Sequence, residues 1–315
     1  MPPSRGEGPL HISIIIPAYN VAPYLGDAML SVMAQTYRDW SMVVVDDGST
    51  DSTARVAAGF SDPRICLICQ DNRGVSAARN RGSATAGSDA CLFLDADDWL
   101  DPDALERLSR TLVDSPAAVA AVGSYARITQ DRMVRFAPPP PCGDVLEQLL
   151  VRNLFANGGH VLIRRCAINT AGGFRTGLCY GEDWEFWIRL ALLGRFVAIP
   201  GRKPVLFVRE RPGSAYHRMA AEPACFEAAA DAVYRNPDLR RRFGADRLAA
   251  LRRRTEAETA WVIGRELIRH GDRRQGWQWL GRSLRAAPTL RRFALAALSG
   301  TGLGPFRPYP DAREG

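Results

Sequence analysis

The chain has 315 residues, 46% of them apolar and 24% charged, a globular balance long enough for two domains of about 100–200 residues each. This composition excludes a disordered polymer, a collagen-like repeat and a coiled-coil rod, and no window of about 18 uncharged apolar residues predicts a membrane-spanning helix. The net charge of +7 is unevenly placed: residues 1–234 carry 23 basic and 26 acidic side chains, whereas 235–292 carry 16 arginines against 6 acids.

In chain order, residues 1–10 (MPPSRGEGPL) are expected to be disordered and lack the apolar core of an export signal, so the expected location is cytoplasmic. Short apolar runs predict strands at His11–Ile16, Met42–Val45, Ile65–Ile68 and Cys91–Leu94. Between and after them, helical patterns cover 22–35, 51–59 and 75–86, and Asp101-Pro102-Asp103 opens another, with proline suited to a first turn. This alternation predicts an α/β fold with a mainly parallel central sheet flanked by helices. The proline run Pro138–Pro141 and the segment Gly201–Ser214 read as loops, and 183–193 as a further helix. From Pro223 to about Arg292 the pattern is mostly helical, broken at Asn236-Pro237 and His270-Gly271-Asp272. Of the seven cysteines, Cys66 and Cys69 form one CxxC inside the apolar run ICLIC. No second CxxC or histidine pair completes a zinc site, so thiols buried in a reducing cytosol are expected.

Ligands of open parallel sheets bind beyond the carboxyl ends of the strands. After the first strand come Pro17, Tyr19 and Asn20, able to pack on and hydrogen-bond a heterocycle, although turn chemistry explains Pro and Asn equally well. After the second come Asp46 and Asp47; Gly48, Ser49 and Asp51 suit a turn and helix cap, but two adjacent carboxylates exceed what a cap needs, and one of them would read a ring N–H or sugar hydroxyl. After the third come Arg73 and, on the following helix, Arg79, which favour an anion or are solvated surface arginines. After the fourth, Asp95, Asp97 and Asp98 crowd three carboxylates beside an apolar run, an arrangement that a cation such as Mg2+ or Mn2+ would relieve. Asp98 and Asp101 have the alternative of capping the next helix. Downstream, Glu182 and Asp183 open a helix beside Trp184 and Trp187; acids suit a helix start, and a carboxylate beside large apolar rings also suits a general base.

The stretches SIIIPAYN, VVVDDGSTDST, NRGVSAARNRG, FLDADDWLDPD and GEDWEFWIRL, in this order, resemble the family 2 glycosyltransferases of the GT-A fold. The resemblance covers roughly residues 10–215, with 11–219 as the GT-A domain and 220–315 as an Arg-rich helical extension. It implies inverting transfer of one sugar from a nucleotide diphosphate sugar, UDP-hexose by family frequency, to an acceptor hydroxyl. By position, Pro17, Tyr19 and Asp47 would line the nucleobase pocket and Arg73 or Arg79 would lie near the nucleotide. Asp95 would contact the ribose or sugar, and Asp97 with Asp95 would hold Mn2+ or Mg2+ on the diphosphate. Asp183 would be the base, with Glu182 beside it as the second candidate, and His217 in RERPGSAYHR would close over the diphosphate. The QxxRW sequence of processive members is missing, which implies one sugar per acceptor.

The expected partners are a nucleotide sugar donor and a glycan or lipid-linked acceptor of cell-surface polysaccharide synthesis. The arginines of 220–315 read as a solvated helix face or as a peripheral contact with the inner face of the plasma membrane, with Trp277, Trp279 and Phe293–Leu298 as anchors. Nucleic acid is not expected, because the tail has no aromatic stacking pattern. A sugar nucleotidyltransferase would need a glycine-rich basic loop where PAYNVAPYL stands. A non-catalytic sugar-nucleotide-binding or scaffold protein is the alternative, and it differs in tolerating replacement of Asp183.

Overall fold

The computed structural model describes residues 9–129, 134–210, 223–269, 272–289 and 293. In chain order the elements are β1 (Ile12–Ala18), α1 (Ala22–Met33), β2 (Trp40–Asp46), α2 (Thr53–Ala58), β3 (Ile65–Cys69), α3 (Val75–Thr85) and β4 (Ala90–Phe93). Then follow β5 (Trp99–Leu100), α4 (Ala104–Val113), β6 (Ala118–Val122), β7 (Ser124–Ile128), β8 (Val134–Phe136), α5 (Leu146–Val151), β9 (Val161–Arg164), α6 (Arg165–Ala171) and α7 (Glu182–Leu193). The last are β10 (Arg195–Ala198), β11 (Pro204–Arg209), α8 (Pro223–Tyr234), α9 (Pro237–Phe243), α10 (Ala245–Arg269) and α11 (Arg273–Ala286).

The first of two compact units comprises 1–146, 154–177 and 182–211. Its main sheet has seven strands in the order β10-β6-β9-β4-β1-β2-β3. All pairings are parallel except those of β9, which runs antiparallel between β4 and β6. The apolar runs exist because β1, β2 and β4 are covered on both faces. On one face Ile12, Ile14, Ile16, Met42, Val44 and Leu92 pack with Leu25, Met29 and Val32 of α1 and with Leu105, Leu108 and Leu112 of α4. On the other, Val43 and Val45 meet Ala78 of α3. Gly82 lets α3 lie close to the sheet: a Cβ there would stand 2.5 Å from Ile15 Cγ2. The one polar side chain buried within β1, Ser13, is answered by Ser41 Oγ at 2.8 Å.

A second sheet, β5-β11-β7-β8, lies outside the sequence expectation. Its strand β11 falls inside 201–214, which reads as a loop; of the residues described there, Gly201–Lys203 and Glu210 are irregular, and Pro204–Arg209 pairs parallel to β7. The thiols also depart from expectation. Cys66, Cys69, Cys142 and Cys166 are exposed and only Cys91 is buried among the free cysteines. Cys66 and Cys69 are exposed because β3 is the edge strand of the main sheet.

The second unit comprises 147–153, 178–181 and 212–315. Its described part is mostly helical. α10 and α11 pack against each other where Gly264 meets Gly276, with Trp261, Ile268 and Leu280 buried between them. The Tyr234 hydroxyl donates to Leu150 O at 2.7 Å and meets Thr255 Oγ1 at 2.6 Å. Burial pushes the Tyr234 phenol up to about 12. Cys179 and Cys225 form a disulfide within this unit. Among the described residues, no helix is long and apolar enough to cross a membrane.

Candidate active site

Because β3, β2, β1 and β4 are parallel neighbours, their carboxyl ends open on one edge of the sheet. The loops that leave these ends are bolted together. Asn20 takes a left-handed backbone (φ +50°). Its Oδ1 accepts from Thr50 N at 2.8 Å, while its own N–H donates to Ser49 Oγ at 3.0 Å. Asn20 is therefore a bracket between the β1 and β2 exits. The tyrosine before it is half exposed, and Pro17 is partly buried at the strand end.

The two aspartates after β2 differ in their partners. Asp47 is 3% exposed and accepts from Gln70 Nε2 at 2.6 Å, Arg73 N at 2.9 Å and Gly74 N at 2.8 Å. Both its oxygens thus help to fix the loop before α3. Asp46 is also buried, yet its Oδ1 has no hydrogen-bond partner. Between the acids and α3, Gly48 (φ +76°) approaches the loop so closely that a Cβ would stand 2.7 Å from Asn72 N.

Arg73 and Arg79 are not equivalent. Arg73 is exposed on the loop, with its backbone N–H on Asp47. The side chain of Arg79 is 6% exposed; Nη2 meets Asp95 Oδ1 at 2.9 Å and Nη1 meets Glu182 Oε1 at 3.0 Å. Burial opposes its charge, but Asp95, Glu182 and Asp183 outweigh that and raise its pKa. Its guanidinium carbon lies 5.1 Å from the Phe174 ring centroid.

The acidic run after β4 fans out. Asp95 turns to Arg79. Asp98 is 2% exposed and points inward, accepting from Asn157 Nδ2 at 2.5 Å and Arg209 N at 2.9 Å. Burial first, then the charges of Asp95 and Asp97, push the Asp98 carboxyl well above the usual range. The capping alternative for Asp98 is therefore overturned. Asp101 lies two residues before the N-cap of α4, which is Asp103; its Oδ1 accepts from Asp103 N at 3.4 Å and pairs with Lys203 at 2.8 Å. Asp97 is half-buried, and Arg209 Nε donates to its carbonyl at 3.2 Å.

Glu182 and Asp183 stand in the first turn of α7, where the helix dipole favours negative charge. Trp184 N donates to Asp183 Oδ1 at 2.6 Å. The tryptophans anchor the helix. Trp184 is buried, and Trp187 packs with Phe155 and Phe186 at centroid distances of 5.4 Å. What faces Glu182 is the Arg79 guanidinium. Glu185, 2% exposed, is held by Arg189 at 2.6 Å and Arg175 at 3.3 Å. The chain Asp95–Arg79–Glu182 thus joins the β4 exit to the start of α7, and Asp183 lies near enough for its charge to act on Arg79. His217 lies outside the described residues.

Three contributors escaped the sequence reading: Gln70, Asn157 and Arg209. Gln70 directly follows β3 and could have been included with the strand exits; Arg209 opens the basic stretch RERPGSAYHR; Asn157 carries no local signal.

Residues 13–169 match the family model described as Glycosyl transferase family 2. The chain belongs to glycosyl transferase family 2. It is 42% identical over 116 residues to Glycosyltransferase GlyA of Streptococcus pneumoniae, a match covering 36% of this chain and 16% of that protein. It is 33% identical over 123 residues to the putative teichuronic acid biosynthesis glycosyltransferase TuaG of Bacillus subtilis, covering 38% and 48%. The chain spans from about a sixth to somewhat over half the length of the curated relatives it matches. Among solved structures, Staphylococcus aureus TarS 1–349 in complex with UDP-GlcNAc superposes with TM-score 0.57 at 17% identity, covering 95% and 93% of the two chains. The mannosyltransferase PcManGT of Pyrobaculum calidifontis, in complex with GDP-Man and Mn2+, gives 0.57 at 20%, covering 94% and 81%. These likenesses establish a GT-A-like fold for this family 2 chain.

A divalent metal is implied by the family. Among the described residues, no three His, Cys, Asp or Glu side chains converge to hold one. The expected three-carboxylate clamp is thereby corrected, because Asp95 and Asp98 are drawn to Arg79 and Asn157. Asp97 with Asp95 remains a hard-oxygen pair, which suits an ion that takes one or two carboxylates and completes its shell with water and substrate oxygens.

Proposed function

We propose that the chain is an inverting glycosyltransferase that moves one sugar from a nucleoside diphosphate sugar to an acceptor hydroxyl. The reading rests above all on the ion-pair chain Asp95–Arg79–Glu182, which gathers the acids of the β4 exit and of the α7 start at one edge. Asp183 is the base: its Oδ1 is oriented by Trp184 N, and the helix start favours its anion. It takes the proton of the acceptor hydroxyl as that oxygen attacks the anomeric carbon opposite the leaving nucleotide, so a single displacement inverts configuration. Glu182 serves as the bracket to Arg79.

The orphaned Oδ1 of buried Asp46 suits a ring N–H or ribose hydroxyl, since an unmet buried acceptor costs about 1–3 kcal/mol. Tyr19 and Pro17 supply an apolar wall, and Arg73 is a donor for the diphosphate. Asp97, with Asp95, would hold Mn2+ or Mg2+, which when bound supplies positive charge against the departing diphosphate. UDP-hexose is the proposed donor, in keeping with the UDP-GlcNAc bound by TarS, although PcManGT takes GDP-Man. A lipid-linked glycan of cell-surface polysaccharide synthesis is the proposed acceptor, in keeping with the name of TuaG.

Nucleotide release across a panel of donors, with and without Mn2+, tests the reading. Asp183→Asn is expected to lower turnover by about 10²-fold or more while donor stabilisation in thermal shift persists. Unchanged turnover in that variant favours the non-catalytic binding alternative.

A further inference from the structure

The helical unit holds two populations of arginine. On α8 to α10 many are answered by acids. Arg235 and Arg252 meet Asp231 at 2.8 and 2.6 Å, Arg247 meets Glu147 at 2.6 Å, Arg265 meets Glu266 at 3.1 Å, and Arg241 pairs with Asp238. Helix α11, RRQGWQWLGRSLRA, contains no acid at all. Its buried residues are Gly276, Leu280 and Ser283, which fall on one face. At about 100° per residue, Arg274, Gln278, Arg282 and Arg285 fall in one sector on the opposite face. All four are exposed, as is Arg273 at the helix start. Among the described residues, none of these four arginines pairs with an acid. The row from Arg274 to Arg285 is about 16 Å long. Arg282 lies 4.7 Å over the Trp279 ring.

We propose that this outer face of α11 docks the protein on an anionic lipid bilayer. A row of exposed guanidiniums along one helix face matches a plane of headgroup phosphates, each able to accept paired N–H bonds. Nucleic acid fits less well: Trp277 and Trp279 are partly buried and Arg282 covers the latter, so no open ring is offered to a base. The proposal is independent of the sugar-transfer reading and is tested without a substrate.

The experiment is co-sedimentation of the full chain with phosphatidylcholine vesicles containing about 30% phosphatidylglycerol, against phosphatidylcholine alone, at about 0.05 and 0.5 M salt. Binding is expected only to the anionic vesicles and only at low salt. Each arginine removed from the face should lower partitioning about fivefold. R274Q/R282Q/R285Q should therefore lose about 100-fold, and the single variants R282Q and R285Q serve if the triple does not fold. R235Q/R241Q/R247Q removes the same charge from ion-paired sites and should lose less than about threefold. The proposal is overturned by failure to bind anionic vesicles at low salt, or by equal losses in the two triple variants. It is equally overturned if single-stranded RNA binds more tightly than the vesicles and displaces the protein from them.

Discussion

In the sheet-bearing unit, the Arg79 side chain is 6% exposed and fixed by two carboxylates at 2.9 and 3.0 Å. In the helical unit, Arg274, Arg282 and Arg285 stand exposed on a helix without a single acid. The first guanidinium is confined because burial makes an unanswered charge expensive, so its partners are dictated and it acts as a structural joint. The others keep their water, contribute little to the fold, and stay available to an outside anion. The same side chain is thus read by what surrounds it: removal of the buried one should register as lost stability, and removal of an exposed one as lost adhesion.

The sharpest way to break this contrast is Arg79→Met. It strands Asp95 and Glu182 beside each other and should cost about 3–5 kcal/mol in urea unfolding. Arg79→Lys should recover only part of that, because an ammonium lacks the planar fork that spans both acids. A loss under about 1 kcal/mol for Arg79→Met would place the buried arginine with the exposed ones.

A second buried ionisable group extends the test to pH. His160 is 1% exposed; Nδ1 meets Gly123 O at 2.8 Å and Nε2 accepts from Ala156 N at 3.1 Å, so the ring is neutral with its proton on Nδ1. Burial pushes its pKa down to about 4 from 6.5. The unfolded chain then binds the extra proton first, so stability is full above about pH 6.5 and falls as pH drops toward about 4, by about 3 kcal/mol. His160→Gln should flatten that acid limb in unfolding measured at several pH values, even if the plateau is lower. The smallest effect is expected at Arg235→Ala or Arg241→Ala, exposed pairs whose loss should stay within about 1 kcal/mol and shrink further in salt.

The parallel half of the fold was legible because strands covered on both faces read as apolar runs: ISIIIPA, WSMVVVD and ACLF announce β1, β2 and β4. The second sheet was not. Trp99–Leu100 has two residues, Val134–Phe136 has three, all exposed, and β11 begins at a proline after a glycine turn, so neither period nor length marks them. The candidate acids are expected at the strand exits and at the start of a helix after Gly181, and the structure has them there, since those positions follow from where apolar runs stop. Which carboxylate faces outward does not follow. Asp46 and Asp47 are chemically identical neighbours, and only the loop Gln70–Gly74 decides that Asp47 holds it while Asp46 Oδ1 is left without a partner. Likewise Asp98 is drawn inward by Asn157, 59 positions away.

The bond between Cys179 and Cys225 closes a ring of chain around the very segment that carries Asp183, β10 and β11. A protease cut between 180 and 224 would therefore leave two pieces still tethered. On a gel they would migrate together until a reductant separated them, so limited proteolysis run with and without dithiothreitol reports directly whether that ring is shut.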